Sequence, residues 1–284
     1  MTNAFTVDFE DWYHGIELPY ADWHKYERRI EKGFYKVFEL LQKHNVKATF
    51  FTLGWVAKEY PNLVKELSNA GHELASHGYS HEKVYNLTPQ QFRKEIADTK
   101  KIIEDITSQP LVAYRAPFFS ITEKSLWALE ILAEEGHTID CSISPIKTWR
   151  YGIANCPDEI FNIIEANIIE FPVSAFKRFT KRWAIGGAYF RLFPYNFTSS
   201  GISIRSSHGS YNMFYIHPWE YDPEHPKVKM ERKAQFTHYT HLSKTIPNTE
   251  KLLSHFKFDT VSNVVKNCKQ HHGIRDISIK VLQS

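Results

Sequence analysis

The chain has 284 residues, enough for one large α/β domain or two small ones, and its 42% hydrophobic and 24% charged residues are typical of globular proteins. Its net charge of +3 is too small to indicate nucleic acid or an anionic membrane surface as a partner. No apolar run approaches the roughly 20 residues that a transmembrane helix needs, and the N-terminus lacks the pattern of a signal peptide. The three scattered cysteines form no CxxC motif or disulfide framework, so we expect a cytoplasmic protein.

The first predicted element is a strand that ends in a group of acidic residues. Apolar residues alternate with polar ones from residue 5 to residue 10, a period of two, which places Asp8 and Glu10 on one face and Asp11 at the end of the strand. Three carboxylates within four residues repel one another unless a cation or an arginine compensates their charge. A solvated acidic turn is the alternative, but the Phe, Val and Trp neighbours favour burial.

Strands and helices then alternate along the first half of the chain. This alternation predicts an α/β fold, with a parallel sheet or barrel and helices outside. After about residue 142 the pattern weakens, and one domain with long, loop-rich insertions is the simplest interpretation. The predicted helices are 27–44, 56–69, 89–106 (with Thr88 as N-cap), 122–136 and 249–257 (with Thr249 as N-cap), and the later strands are 47–53, 72–76, 111–116, 138–141, 168–173, 202–205 and 213–217.

Residues that could act in catalysis or metal binding follow the predicted parallel strands, and the functional groups of such folds gather at these strand ends. His77 and His81 would lie on one face if their segment were helical, so both imidazoles could bind one ion. With a carboxylate of the acidic group they form a two-histidine, one-carboxylate set that suits Zn²⁺ or another divalent metal. Singly, each residue has an ordinary structural explanation: Arg115 as a surface cation, Asp140 as a helix cap, and His217 as a structural histidine.

Together, these motifs resemble those of the polysaccharide deacetylases of the NodB-homology type. The acidic group matches their first motif, residues 76–81 the second, and residues 115–118 the third. Asp140 and His217 match the fourth and fifth motifs. Longer segments are similar to the subgroup associated with exosortase-type exopolysaccharide loci, namely 7–14, 140–143, 186–195, 215–223 and the region of His238 and Tyr239.

The resemblance implies a distorted (β/α) barrel of about seven strands, in a single domain over 1–284 with a family-specific C-terminal portion from about 143 to 284. It implies metal-dependent removal of an N-acetyl group from an amino sugar. The ungapped alignment makes Glu10 the catalytic base, and a gapped alignment makes it Asp8. The other implied roles are metal ligands for Asp11, His77 and His81, a tether of the base for Arg115, a partner of the acid for Asp140, and the general acid for His217.

The resemblance also suggests a cofactor and a substrate. The metal is expected to be Zn²⁺, with Co²⁺ or Ni²⁺ as alternatives. A backbone N–H near Phe118 could hold the oxyanion, and Trp219 could wall the acetyl methyl and stack on sugar, or be part of the core. The substrate would be an N-acetylated glycan, either a polymer or a lipid-linked intermediate met at the inner leaflet. The alternative functions are a small-molecule amidohydrolase on the same barrel and a non-catalytic carbohydrate-binding protein.

Overall fold

The computed structural model describes residues 1–178 and 180–283 and shows an α/β protein built on one large, mostly parallel sheet. Seven strands lie side by side in the order β10-β1-β2-β3-β4-β5-β7, and each pair among them is parallel. This confirms the predicted fold class. The strands are β1 (Asn3–Phe9), β2 (Thr49–Thr52), β3 (Glu73–Ser76), β4 (Ala113–Tyr114), β5 (Ile139–Asp140), β6 (Phe161–Ile163), β7 (Ile168–Glu170), β8 (Ala175–Arg178), β9 (Lys181–Ala184), β10 (Met213–Ile216), β11 (Phe258–Asp259) and β12 (Arg275–Ile277).

The C-terminal half of the chain shares this sheet with the N-terminal half. Strand β1 pairs with β2 on one side and with β10 on the other, and β11 also pairs with its first residues. Strands β6 and β12 extend the far edge, where β6 runs antiparallel to β7. Strands β8 and β9 form a separate antiparallel hairpin. Strand β1 therefore joins the two halves of the chain.

Helices pack around the sheet through apolar faces. In the first, the buried residues Phe34, Val37, Phe38 and Leu41 recur at helical spacing. Thr88 caps the fourth helix in a capping box with Gln91, as the sequence predicted. The helices are α1 (Ile30–Lys43), α2 (Gly54–Glu59), α3 (Pro61–Asn69), α4 (Pro89–Thr107), α5 (Trp127–Glu134), α6 (Gly187–Leu192), α7 (Tyr195–Ser207), α8 (Arg232–Tyr239), α9 (Thr245–His255), α10 (Val261–His271) and α11 (Lys280–Gln283).

The helix predicted over 122–136 is the shorter α5, which begins only at Trp127, and three other predicted elements differ from the structure for local reasons. The helix predicted over 56–69 is two helices, because Tyr60 leaves the helical region and Pro61 begins a new helix. The strand predicted over 202–205 is part of α7, whose buried residues follow a helical period through Thr198, Ile202 and Arg205. The last predicted helix begins at Thr245, four residues before the predicted cap. No helix among the described residues is long and apolar enough to cross a bilayer.

Candidate active site

The carboxyl ends of four neighbouring parallel strands bring the predicted polar residues together. These strands are β10, β1, β3 and β4, with β2 between the second and the third. Parallel strands place their carboxyl ends at one edge of the sheet, so the residues that follow them meet there. The side chains that meet are those of Asp8, Glu10, His77, His81, Arg115 and His217; all are buried except that of His217, which is half-buried.

Glu10, His77 and His81 form a cluster whose potential ligand atoms all lie within 4.8 Å of one another. Among the described residues, the buried Glu10 Oε2 has no hydrogen-bond partner, although it lies 2.8 Å from His81 Nε2. Two potential metal-ligand atoms that lie this close without a hydrogen bond between them suit a shared metal ion. His77 Nδ1 lies 2.8 Å from the carbonyl oxygen of Arg115, to which it would donate, and this leaves Nε2 free to bind the ion.

The charges of this cluster also suit a cation. Burial lowers the pKa of His77 to about 4, so its imidazole is neutral at pH 7. Burial by itself would raise the pKa of the Glu10 carboxyl, but the nearby imidazoles of His81, His217 and His77 hold it below its usual range. A neutral imidazole and an ionised carboxylate are the protonation states that metal ligands require.

The segment that carries the two histidines is a loop rather than the helical turn that the spacing suggested. Gly78 and His81 both have a left-handed backbone, with φ of 73° and 57°. Glu95, on α4, accepts hydrogen bonds from the backbone N–H groups of Tyr79 (2.8 Å) and Ser80 (3.0 Å). Glu95 therefore fixes the loop that positions His81.

The predicted placement of Asp11 beside the two histidines is not what the structure shows. The Asp11 carboxylate accepts hydrogen bonds from the backbone N–H groups of Trp12 (2.8 Å), Arg29 (2.7 Å) and Ile30 (3.0 Å). The last two lie at the N-terminus of α1, where a carboxylate is stabilised by free N–H groups and by the helix dipole. The carboxylate of Glu10, which the ungapped alignment made the base, lies beside the histidines instead.

Asp8, the other candidate base, is held by the arginine that the resemblance assigned to this task. Arg115 Nη1 donates a hydrogen bond to Asp8 Oδ1, and its Nη2 donates to Thr6 Oγ1 at 3.0 Å. The guanidinium also packs against the ring of Phe51, at 3.9 Å from the centroid. Asp8 Oδ2 lies 3.7 Å from His217 Nε2. The structure thus joins Arg115 to Asp8.

The partner of His217 is Glu220, which the sequence analysis did not single out. His217 Nδ1 lies 2.8 Å from Glu220 Oε1, and Arg191 Nε donates to the other oxygen of the same carboxylate. Burial by itself would lower the pKa of His217, but the Glu220 hydrogen bond and the charges of Glu10, Glu220 and Asp8 raise it to about 9. A carboxylate three residues after a strand-end histidine was the available signal for Glu220; Arg191 had no local signal.

Asp140, predicted as the partner of His217, forms a different pair. It faces Glu170 across the register of β5 and β7, and Ser142 Oγ contacts its Oδ1 at 2.5 Å. Burial raises the pKa of Asp140, and burial together with the Asp140 charge raises the pKa of Glu170 well above its usual value. The two carboxyls are therefore buried together, and the raised pKa values favour their protonated forms. Neither is among the carboxylates within 4.0 Å of His217.

The two predicted substrate contacts lie at the edges of the cluster. The half-buried ring of Phe118 is 4.6 Å from that of His81, centroid to centroid, and Phe118 has a left-handed backbone with φ of 55°. The buried indole of Trp219 stacks on His217 at 5.2 Å and donates its Nε1–H to Glu10 Oε1 at 3.3 Å. Their roles in oxyanion and substrate binding stay predictions.

Two known families match consecutive parts of the chain. Residues 22–137 match the family described as polysaccharide deacetylase, and residues 141–266 match a domain of unknown function (DUF3473). The chain therefore contains a polysaccharide deacetylase domain. The second match is the C-terminal domain of the exopolysaccharide-associated subgroup, so the resemblance stated from the motifs is confirmed. Of the six residues that meet at the candidate active site, Asp8 and Glu10 precede the first matched segment, and His217 lies in the second.

Individual relatives match parts of this chain. It is 38% identical over 96 residues to a peptidoglycan-N-acetylglucosamine deacetylase of Bacillus cereus, a match that covers 34% of this chain and 35% of that protein. It is 30% identical over 113 residues to a peptidoglycan deacetylase of Helicobacter pylori, covering 40% and 38%. The chain thus spans between a third and just over half of the length of such relatives.

A solved structure shows the same fold over nearly the whole chain. This crystal structure, from Mycobacterium smegmatis, is assigned provisionally to the polysaccharide deacetylases. It superposes with a TM-score of 0.63 and 17% identity, and it covers 96% of this chain and 92% of its own. At this identity the likeness concerns the fold.

Proposed function

We propose that this chain is a metal-dependent N-deacetylase that hydrolyses the N-acetyl group of an amino sugar in a polysaccharide or a lipid-linked glycan. One observation carries the proposal: the Glu10–His77–His81 cluster lies beside an arginine-bound Asp8 and a carboxylate-bound His217. These are the parts that amide hydrolysis needs, namely a metal site, a base and an acid. The names of the relatives, which include peptidoglycan deacetylases, support an acetylated sugar as the substrate.

Glu10, His77 and His81 would hold the metal. Their donor set, two imidazole nitrogens and one carboxylate oxygen, suits a catalytic Zn²⁺ with open positions, and Co²⁺ and Ni²⁺ are alternatives. The buried Glu10 Oε2, which has no hydrogen-bond partner in the described part of the chain, supports this choice. When bound, a divalent ion supplies Lewis acidity, which polarises the acetyl carbonyl and lowers the pKa of water.

Asp8 is the base in this proposal. Arg115 binds its Oδ1, so Oδ2 remains to accept the proton of the attacking water. Glu10 is less suited to this role, because its carboxylate lies among the metal ligands and also accepts the Trp219 N–H. The charge of Arg115 fixes the orientation of Asp8, and Arg115 is itself fully buried among its partners.

His217 is the acid. Its Nδ1–H is directed at Glu220, so its Nε2–H faces the site and can protonate the amine nitrogen as the carbon–nitrogen bond breaks. The water oxygen ends in acetic acid, Asp8 receives one water proton, and the amine receives one proton from His217. The acetic acid then ionises to acetate and releases the second water proton to solvent. Glu220 stabilises the charged imidazole before this transfer.

The test combines metal analysis with acetate release from N-acetylglucosamine oligomers and from lipid-linked glycans. We expect the purified protein to bind one divalent ion per chain, to lose activity with a chelator and to regain it on metal addition. Asp8→Asn should keep the metal and lose about a hundredfold or more in kcat, whereas His77→Ala should lose both. Chelator-insensitive activity, or full activity of His77→Ala, would contradict the proposal.

The same assay separates the alternative functions. Activity on free cyclic amides without acetate release from any glycan would favour a small-molecule amidohydrolase. Saccharide binding without hydrolysis, with Zn²⁺ or Co²⁺ added, would favour a carbohydrate-binding protein. A higher kcat/KM on lipid-linked glycans than on free polymers would support the lipid-linked intermediate. The cytoplasmic location stays a prediction, which the three free, buried cysteines favour.

A further inference from the structure

Trp149 has the most exposed of the large hydrophobic side chains described, at 81%. It lies in a closed turn over residues 144–152. Thr148 N–H donates to Tyr151 O at 2.8 Å, Tyr151 N–H donates to the Thr148 side-chain Oγ1 at 3.0 Å, and Ile153 N–H donates to Ser144 O at 2.9 Å. Gly152 has φ of 98°, and a Cβ on it would lie 2.0 Å from a backbone oxygen, so the turn is closely packed at its base. The exposure of Trp149 is therefore not that of a loose chain segment.

The turn is tied to the candidate active site by a series of ring contacts. The guanidinium of Arg150 lies 4.8 Å from the centroid of the Trp149 ring and 5.2 Å from that of Phe118. The Phe118 ring in turn is 4.6 Å from the ring of His81. These three contacts place the Trp149 ring within about 15 Å of a candidate metal ligand.

Two ion pairs hold Arg150 and Lys83 beside the Phe118 ring, at the edge of the candidate active site. Glu17 pairs with Arg150 through one oxygen and with Lys83 through the other. Lys83 Nζ lies 5.3 Å from the Phe118 ring centroid, so the ring has a cation from each of two segments against it. On the inner side, the Tyr151 ring contacts Phe119 at 6.1 Å. The Trp149 indole thus lies on a turn whose neighbouring residues are fixed by ion pairs and ring contacts beside the candidate active site.

We propose that Trp149 is an aromatic platform that stacks on the apolar C–H face of a second pyranose ring of the glycan. The proposal rests on the proposed function, because it takes the acetylated sugar to lie at Glu10, His77 and His81. A rigid, exposed indole presents a flat apolar face at little entropic cost. The proposal takes the reacting sugar to lie at the metal cluster and the next sugar of the glycan to lie against Trp149, within the distance that these ring contacts span. The platform implies a substrate of at least two sugar units, an oligosaccharide or a polymer.

The test is the chain-length dependence of catalysis and binding with N-acetylglucosamine oligomers of one to six units. Trp149→Ala should raise KM for the longest oligomers about tenfold, leave KM for the shortest oligomer that reacts unchanged, and leave kcat unchanged. Trp149→Phe should restore most of the loss. Tyr35→Ala, which removes an exposed aromatic from α1, is the matched control and should have no effect. An equal effect of Trp149→Ala at every length, or no effect, would overturn the proposal.

A binding measurement separates this proposal from the proposed function. Calorimetric titration of the same oligomers into the metal-loaded Asp8→Asn protein, with and without Trp149→Ala, needs no turnover. A loss of affinity confined to the longer oligomers supports the platform even if the wild-type protein releases no acetate. Equal affinities in the two proteins would overturn the platform and leave the deacetylase proposal unaffected.

Discussion

Glu220 Oε1 lies 2.8 Å from His217 Nδ1, and this contact decides which nitrogen of the imidazole faces the site. With Nδ1 directed at Glu220, His217 Nε2 lies 3.7 Å from both Asp8 Oδ2 and Glu10 Oε1. Arg191, which is buried and donates to three backbone carbonyls and to Glu220, holds the carboxylate in place. The orientation of the proposed acid therefore depends on residues outside the five family motifs.

Glu220→Gln should change the pH dependence of the reaction. Burial opposes the charged imidazole, but Glu220 and the other carboxylates raise the pKa of His217 to about 9, so the acid keeps its proton through neutral pH. Without the Glu220 charge the proton is lost at lower pH, and the alkaline limb of the kcat profile should move down by about one to two pH units. Glu224→Gln, in the exposed segment that follows, is the control. An unmoved alkaline limb would exclude Glu220 as the partner of the acid.

Glu10→Gln should weaken metal binding far more than Asp8→Asn. Glu10 is one of the three clustered ligands, whereas Asp8 is bound by Arg115. Loss of a ligand should raise the Kd for Zn²⁺ by at least about a hundredfold, since even changes to the partners of ligands cost tenfold to a hundredfold. Competition with a chromophoric chelator measures this Kd. Equal weakening in both variants would show that Asp8 is also a ligand.

Asp11→Asn should lower stability and leave metal affinity unchanged. Both of its oxygens accept backbone N–H groups, two of them at the start of α1. Burial raises the pKa of Asp11 to about 7, so its charge adds little stability, but loss of one of its two acceptor oxygens should reduce the free energy of unfolding by about 1–2 kcal/mol. Urea denaturation of the metal-free protein is the measurement. A variant that unfolds like the wild type but binds Zn²⁺ poorly would restore Asp11 to the ligand role that the sequence suggested.

Glu170→Gln should stabilise the protein at high pH. Burial and the Asp140 charge raise the pKa of Glu170 well above the ordinary 4.5, so the unfolded chain loses this proton first as the pH rises. Wild-type stability should therefore fall above pH 4.5, and the glutamine variant avoids this loss. We expect no difference near pH 4 and a gain on the order of 2 kcal/mol at pH 8.

The control for this prediction is Glu39→Gln, on the exposed face of α1. It should alter stability little at either pH. Urea midpoints for the three proteins at pH 4 and pH 8 give the comparison. If Glu170→Gln were destabilising at pH 8, the Asp140–Glu170 pair would have to be ionised and compensated by a cation.

Local sequence patterns predicted which acidic residues share a strand face better than they predicted the role of each residue. The alternation around Asp8 correctly placed Asp8 and Glu10 together, because a strand has a period of two. Whether Asp11 continued on that face depended on the backbone after the strand, where it turns toward α1. The family motif, matched residue by residue, carried no information about that turn.

Contacts between segments that are distant in the chain could not be predicted from the sequence. The pairing of Asp140 with Glu170 depends on the register of two strands separated by a long connection. Arg191 reaches Glu220 from a helix 29 residues earlier in the chain. By contrast, the capping box at Thr88 and the apolar face of α1 are local, and their spacing was sufficient to predict them.

The most direct test of the account is a titration of metal-free protein with Zn²⁺ that follows acetate release from N-acetylglucosamine oligomers against metal bound per chain. We predict that activity rises in proportion to bound metal and reaches its maximum at one ion per chain, and that Glu10→Gln shows neither tight binding nor activity. Activity in the metal-free protein, or a fully loaded protein that releases no acetate from any N-acetylated glycan, would contradict the account.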